Sequence, residues 1–110
     1  MINDEFVSFI KQVSENLHNL KRHDCHKAEI LERVAKLTEE LGEFASIILT
    51  CIGSASERKL AAFNKDNIAE EFGDVIITAC LLAEELGLDI KEALTTRKNQ
   101  IEDRRYFFGS

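Results

Sequence analysis

Residues 27–52 read KAEILERVAKLTEELGEFASIILTCI, and apolar side chains return along them every three or four positions. That spacing places an apolar stripe along one face of an α-helix. The stripe has seven members: Ile30, Val34, Leu37, Leu41, Phe44, Ile48 and Ile52. We therefore predict a long helix with Leu41 at the centre of its inward face, ending at the small and polar residues 53–56.

Three further segments share this helical spacing, and the chain contains no proline to interrupt them. They run from Asn3 or Asp4 to Leu20, from Asn64 or Asp66 to Leu86, and from Asp89 to about Arg105. Asp24 is a suitable N-cap for the helix at residues 27–52, Gly87 suits the left-handed position after the third helix, and Asp89 with Glu92 forms a capping box. We predict an all-α protein of one domain, residues 1–110, with four main helices in an antiparallel bundle.

The composition limits the classes of protein open to this chain. Of its 110 residues, 45% are hydrophobic and 31% are charged, which is enough apolar material for a core and excludes wholesale disorder. Its formal net charge of −6 repels a phosphate backbone, so we expect no nucleic-acid polymer as a partner. No run approaches the roughly 20 apolar residues that span a membrane, and the three cysteines form no C-x-x-C pair. We expect a cytoplasmic protein with reduced thiols and no membrane contact.

An acidic pattern occurs twice, once in the second predicted helix and once in the third. The copies are LTEELGEF at residues 37–44 and IAEEFGDV at residues 68–75. Side chains three positions apart are neighbours on a helix, so Glu40 lies beside Glu43, and Glu71 lies beside Asp74. At about 100° per residue, the first pair falls on the side of its helix opposite Leu41.

Both copies carry features that destabilise a helix. Neighbouring like charges cost roughly a few tenths of a kcal/mol per pair, and a glycine inside a helix costs about 1 kcal/mol relative to alanine. A solvated face has no need for Gly42 and Gly73, so we expect a close approach beside the acids, by another helix or by a ligand. A third, incomplete copy has Leu88 at the position of the last acid, and we interpret its Glu84 and Glu85 as solvated surface.

The two acidic faces, where they meet, form a cleft for a divalent cation. Carboxylates without histidine or cysteine select Mg²⁺, or Mn²⁺, over Zn²⁺ or copper. Magnesium held in this way keeps positions open for water and phosphate, which makes phosphate transfer or hydrolysis the leading chemistry. In the third helix Ile77 and Leu81 leave almost no polar face, so we also expect a second copy of the chain to complete the bundle.

At these residues the sequence resembles the MazG-like all-α nucleoside triphosphate pyrophosphohydrolases. The signature of that family is E-E-x-x-E, a spacer and E-x-x-D, and here it reads EELGE at residues 39–43 and EFGD at residues 71–74. The resemblance covers most of the chain from about Lys27 to Arg105. It implies a homodimer or dimer of dimers that cleaves the α–β phosphate bond of a nucleoside triphosphate, releasing a nucleoside monophosphate and pyrophosphate. Removal of unwanted or excess nucleotides is the role that it suggests.

The resemblance also implies roles for individual residues. The implied Mg²⁺ ligands are Glu40, Glu43, Glu71 and Asp74. Glu39 is implied either as a further ligand or as the base that deprotonates the attacking water. Lys98, Asn99 and Arg104 are implied as hydrogen-bond donors to the phosphate or the nucleobase of the substrate. Lys36, one turn before Glu40, is placed either to reach a phosphate or to pair with a neighbouring glutamate.

Two short segments of the sequence carry weaker signals, and one alternative function remains open. His23, Cys25 and His26 carry metal-binding side chains at a helix boundary, but they lack a convincing fourth ligand and do not predict a zinc site. The aromatic residues 106–108 are more typical of a subunit contact than of a base-stacking surface. The alternative function is a non-catalytic helical adaptor or oligomerisation module, whose acids keep it in solution or bind a basic partner.

Overall fold

The computed structural model describes residues 2–20, 25–53 and 65–104, which are almost entirely helical and contain no strand. Four helices follow one another: α1 (Asp4–Asn19), α2 (His26–Gly53), α3 (Lys65–Glu85) and α4 (Ile90–Arg104). The predicted all-α fold of four helices is therefore confirmed, and α2 begins one residue earlier than expected. The proposed cap Asp24 lies outside the described residues, as does Asn64, one of the two expected caps of the third helix. Asp66, the other expected cap, lies inside the first turn of α3.

The helix ends are formed by the residues that the sequence suggested. At the start of α1 the Asn3 side chain accepts a hydrogen bond of 2.9 Å from the amide of Phe6. At the start of α4 the Asp89 side chain accepts one of 3.0 Å from the amide of Glu92. Gly87, with φ of +74°, ends α3 in the left-handed conformation that favours glycine. These local interactions set where α1, α3 and α4 begin or end.

Helices α2 and α3 form the main pair and run antiparallel. Phe44 of α2 lies against Phe72 of α3, with ring centroids 6.0 Å apart and ring planes inclined by 54°. At the other end of the pair, Glu29 of α2 and Glu85 of α3 contact the same side chain, His18 of α1. Residue numbers therefore rise along α2 as they fall along α3, which brings the two acidic segments face to face.

The apolar core is small and lies where α1 and the start of α4 pack on the second half of α3. Its buried members are Ile10, Cys80, Leu81 and Ile90. Burial raises the pKa of the Cys80 thiol. The residues from Lys91 to Gln100 are all exposed, so α4 is anchored mainly at its start, where Lys91 Nζ lies 2.6 Å from Asp4 Oδ1. No helix in the described part of the chain is both long and apolar enough to cross a membrane.

Helix α2 presents a different face to α3 from the one that its apolar stripe predicts. Leu41, expected at the centre of the inward face, is 51% exposed, and Val34 is 42% exposed. Glu40, expected on the far side, is only 7% exposed. The prediction assumed that the most apolar face of a helix packs within its own chain. Instead α2 is turned so that Glu40 and the stripe residue Phe44 face α3, and part of the apolar stripe stays uncovered.

Candidate active site

Three carboxylates come together where the two acidic segments face each other. Glu40, Glu43 and Glu71 each place one carboxylate oxygen within 4.8 Å of the others. The first two share a face of α2 because they are three residues apart, and the third comes from α3. Phe44 and Phe72 directly follow two of these acids, and their ring contact fixes the spacing of the helices here. The structure thus brings together three of the four predicted metal ligands, which we call the acidic group.

Glu71 carries the clearest sign of crowded negative charge. Its pKa is raised above the ordinary value of 4.5, first by lost hydration and then by the charges of Glu43, Glu40, Asp74 and Glu70. Its Oε2 atom is buried and accepts no hydrogen bond among the described residues. Such an oxygen is costly to bury, and a bound cation would satisfy it. Because the donors are all carboxylate oxygens, the group fits Mg²⁺ or Mn²⁺.

Asp74 and Glu39 lie at the edge of the acidic group. Asp74 is exposed and outside the set of oxygens within 4.8 Å, although its charge contributes to the raised pKa of Glu71. Lys36 Nζ lies 3.1 Å from Glu40 Oε1 and 3.7 Å from Glu39 Oε2. The hydrogen bond to Glu40, followed by the charges of both glutamates, raises the pKa of Lys36. In the chain as it stands, Lys36 therefore pairs with its neighbouring glutamates.

Two depressions in the surface meet at Glu39. An open one of about 540 Å³ has the acidic residues Glu43 and Glu71 in its lining. A groove of about 390 Å³ runs beside it and has Lys36 and Arg33 in its lining. Glu39 lines both. The acidic group and two cationic side chains therefore open onto adjoining spaces, with one carboxylate at the border.

Arg33 is a candidate functional residue that the sequence analysis missed. Its Nε atom is buried and has no hydrogen-bond partner among the described residues. A signal existed, because Arg33, Lys36, Glu40 and Glu43 follow one another at intervals of three or four on one face of α2. The sequence analysis interpreted that face through its acids, and an arginine near glutamates on a helix is typical of an ordinary surface ion pair.

The predicted donors on α4 lie apart from the acidic group in the single chain. Lys98, Asn99 and Arg104 are exposed, and Lys98 Nζ pairs with Glu102 Oε1 at 2.8 Å. No contact among the described residues joins any of the three to the acidic group. Their predicted role in binding phosphate or base therefore stays a prediction.

Gly42 and Gly73 do not mark a close contact between helices within the chain. A Cβ atom built at either position would meet no described atom within 4 Å. The expected approach of another helix of the same chain is therefore wrong for the described residues, because larger side chains such as Phe44 and Phe72 make the contact between α2 and α3. The other expectation, that a ligand approaches here, stays a prediction.

Glu85 is not the solvated surface residue that the third copy of the pattern predicts. It is 6% exposed, and its carboxylate oxygens lie 3.0 Å from His18 Nε2 and 3.2 Å from His26 Nδ1. Both imidazoles come from ends of other helices, which sequence spacing does not place. Of the weak cluster noted in the sequence, Cys25 is exposed and His23 lies outside the described residues.

The fold and the site together define a class of protein. It is a small helical protein whose two longest helices gather carboxylates suited to a divalent cation, beside a groove that offers cationic side chains. Residues 28–106 match the family model of the MazG nucleotide pyrophosphohydrolase domain, and the chain belongs to this family. Membership indicates nucleotide pyrophosphohydrolase activity in general, with dependence on a divalent metal. Searches of curated proteins and of solved structures found no match.

Proposed function

We propose that the protein hydrolyses a nucleoside triphosphate between its α- and β-phosphates, with Mg²⁺ or Mn²⁺ as cofactor. The products are a nucleoside monophosphate and pyrophosphate, and the role is removal of unwanted or excess nucleotides. The proposal is carried by the acidic group, in which Glu40, Glu43 and Glu71 place oxygens within 4.8 Å of one another and one Glu71 oxygen is buried without a partner. Membership of the family supports the reaction class.

The proposed metal ligands are Glu40, Glu43, Glu71 and Asp74. Asp74 lies one turn after Glu71 on the same face of α3, which supports its inclusion although it stands outside the closest set of oxygens. When bound, the cation offsets the negative charge of the triphosphate and stabilises the charge that develops on the leaving pyrophosphate. Without such a cation, the same carboxylates would repel the substrate.

Glu39 is the proposed general base. It is exposed and lines the same depression as Glu43 and Glu71 without belonging to their group, which favours a base over a fourth or fifth ligand. In the proposed step Glu39 accepts a proton from water as the water oxygen bonds to the α-phosphorus. The bond from that phosphorus to the bridging oxygen breaks, and pyrophosphate leaves.

Arg33 and Lys36 are proposed to hold the substrate from the groove on the other side of Glu39. A phosphate oxygen is a strong acceptor for a guanidinium, and Arg33 lines this groove. Lys36 is within 3.1 Å of Glu40. It would move from the glutamate to a phosphate once a cation neutralises the acidic group.

We further propose that the working protein is a homodimer or a dimer of dimers. Leu41, Ile52 and Phe72 are 51%, 68% and 53% exposed, which leaves apolar surface on α2 and α3 for a second copy to cover. Such an assembly would also bring α4 of one chain, with Lys98 on it, to the acidic group of another. Light scattering tests this: the wild type should have at least twice the mass of Leu41→Glu, and a monomeric wild type would contradict the proposal.

The reaction is tested by incubating the protein with a panel of ribo- and deoxynucleoside triphosphates, with and without Mg²⁺. Products are resolved into monophosphate, diphosphate, phosphate and pyrophosphate. We expect monophosphate and pyrophosphate, and only in the presence of metal. Glu43→Gln and Asp74→Asn should each lower turnover at least about 100-fold with unchanged helical circular dichroism, because each removes the charge of one ligand.

Glu70→Gln is the matched control for these variants. Glu70 adjoins Glu71 on α3 but is exposed and lies outside the acidic group, so its loss should leave the rate close to that of the wild type. Full activity in both Glu43→Gln and Asp74→Asn would contradict the assignment of the site. Absence of Mg²⁺ and Mn²⁺ binding, together with no pyrophosphate from any nucleotide, would favour the adaptor function instead.

A further inference from the structure

A second group of metal-binding side chains lies where three helix ends meet. His18 is in the last turn of α1, Glu29 is in the first turn of α2, and Glu85 is the last residue of α3. Each places one nitrogen or oxygen within 4.8 Å of the others. His18 Nδ1 is 3.1 Å from Glu29 Oε2, and His18 Nε2 is 3.0 Å from Glu85 Oε2. We call these three residues the histidine group.

The Glu85 carboxylate is the most deeply buried part of this group. The side chain is 0% exposed, and both of its oxygens are buried without a hydrogen bond from the described residues. His18 Nε2 and His26 Nδ1 make ion-pair contacts with these oxygens at 3.0 and 3.2 Å. Buried carboxylates are normally hydrogen-bonded, paired with a cation or bound to a metal. Here a fully buried carboxylate and two imidazole nitrogens converge, an arrangement that also suits a bound metal ion.

We propose that His18, Glu29 and Glu85 bind one Zn²⁺ ion or a similar divalent transition metal, with His26 as the nearest fourth ligand. Imidazole nitrogen combined with carboxylate oxygen is a Zn²⁺ ligand set and is poorly suited to Mg²⁺. Atoms about 2.0–2.2 Å from one tetrahedral ion lie about 3.3–3.6 Å from each other. His18 Nε2 and Glu85 Oε2, at 3.0 Å, are close to that separation, and His26 Nδ1 lies 3.2 Å from the other Glu85 oxygen. Glu29 Oε2 lies 3.1 Å from the other ring nitrogen of His18, so the Glu29 side chain has to move toward Nε2 to bind the same ion.

The histidine group is distinct from the acidic group. Glu71 and Glu85 are on one helix and fourteen positions apart in the sequence, which corresponds to about 21 Å along α3 at 1.5 Å per residue. A cavity of about 380 Å³ lined by His18, His26 and Glu85 gives a metal ion a path to the group. The charged residues Lys11, Glu15 and Glu84 also line it. Two of these three are acidic, which favours entry of a cation.

A metal ion at this point would join the ends of α1, α2 and α3. Binding to the folded chain alone stabilises that chain in proportion to the logarithm of the free metal concentration. The core between these helices is small, so a cross-link of this kind would hold their ends together where apolar packing is limited. The expected role of the ion is therefore structural.

The test is a titration of the protein with Zn²⁺ by calorimetry in saturating Mg²⁺, which occupies the acidic group. We expect one equivalent of Zn²⁺ to bind, the melting temperature to rise by several degrees, and the ring nitrogen resonances of His18 to shift. His18→Gln and Glu85→Gln should each weaken Zn²⁺ binding at least about tenfold. The His18 side chain is 43% exposed, so its variant keeps the fold even where Glu85→Gln does not.

Two variants serve as controls. Glu15→Gln removes an exposed carboxylate from the same cavity but outside the histidine group, and it should bind Zn²⁺ as the wild type does. Glu43→Gln alters only the acidic group and should also retain Zn²⁺ binding. The proposal is overturned if no Zn²⁺ binds, if His18→Gln binds it as tightly as the wild type, or if Glu43→Gln abolishes the binding. The first result would mean that ion pairs alone accompany Glu85.

Discussion

The three copies of the pattern Glu-Glu-apolar-Gly agree at one position and differ in what surrounds it. The second glutamate turns inward each time: Glu40 is 7% exposed, Glu85 is 6% exposed, and half-buried Glu71 has one buried oxygen without a partner. Of the glutamates in the first position of each copy, Glu39 and Glu70 are exposed and Glu84 is half-buried. Around Glu71 the neighbours are other carboxylates, whereas around Glu85 they are imidazoles. One short pattern therefore lies in two different chemical environments.

The glycines of the copies differ in the same way. Gly42 and Gly73 lie inside helices, where a Cβ would meet open space, whereas Gly87 ends α3 with φ of +74°. Only the last has a conformational need for glycine within the chain. The first two copies thus keep a destabilising residue beside the acidic group without a reason among the described residues of the single chain. The contrast therefore lies in the backbone: only the third copy ends its helix at the glycine.

The largest expected difference between the copies is in catalysis. Glu71→Gln should lower metal-dependent turnover at least about 100-fold, because it removes a ligand charge from the acidic group. Glu85→Gln changes the equivalent glutamate about 21 Å along α3 and should leave the rate per folded molecule near that of the wild type. Steady-state rates normalised to the folded fraction make the comparison. Equal losses in the two variants would mean that the histidine group takes part in the reaction.

The next difference concerns the glycines. Gly87→Ala should lower the free energy of unfolding by about 1–2 kcal/mol, because alanine is strained at a positive φ. Gly42→Ala should raise it by about 1 kcal/mol, because alanine favours the helix and its Cβ meets no described atom. Urea denaturation in metal-free buffer measures both. A loss of turnover or of dimer in the stabilised Gly42→Ala variant would show that a ligand or a second chain approaches that glycine.

The smallest expected effect is the pH dependence of stability in metal-free buffer. The pKa of Glu71 is raised in the folded chain, so its charged form is disfavoured there. The folded chain favours the protonated form of Glu71, so the contribution of this group to stability is complete below the ordinary pKa of 4.5 and is lost as pH rises through the folded pKa. Glu71→Gln should therefore melt at a higher temperature than the wild type at neutral pH, with the difference closing toward pH 4.5. In saturating Mg²⁺ the wild type should instead melt at the higher temperature. A difference in melting temperature that stays constant at all pH values would contradict the assignment of the effect to the charge of Glu71.

Much of the fold follows from local sequence features, and so does the location of the acidic group. Asn3, Gly87 and Asp89 form the helix ends that their residue types suggest. The spacing of Glu40 and Glu43 places both on one face of α2, as periodicity predicts. Periodicity did not predict which face of α2 packs within the chain: Leu41 is exposed in the single chain, whereas Glu40 is buried. A hydrophobic stripe identifies a surface that needs a partner, but not whether the partner is the same chain.

Sequence alone determined the four helices, the ends at Asn3, Gly87 and Asp89, and the repeated acidic pattern, because these depend on contacts between residues at most a few positions apart. Tertiary structure decided that Arg33 lines the groove beside the acidic group and that Glu85 is buried against His18 and His26. Those placements depend on how helix ends distant in the chain pack against one another. The Glu-Glu pattern is therefore the same in the sequence at Glu71 and at Glu85. The packing of the helices places carboxylates around Glu71 and imidazoles around Glu85.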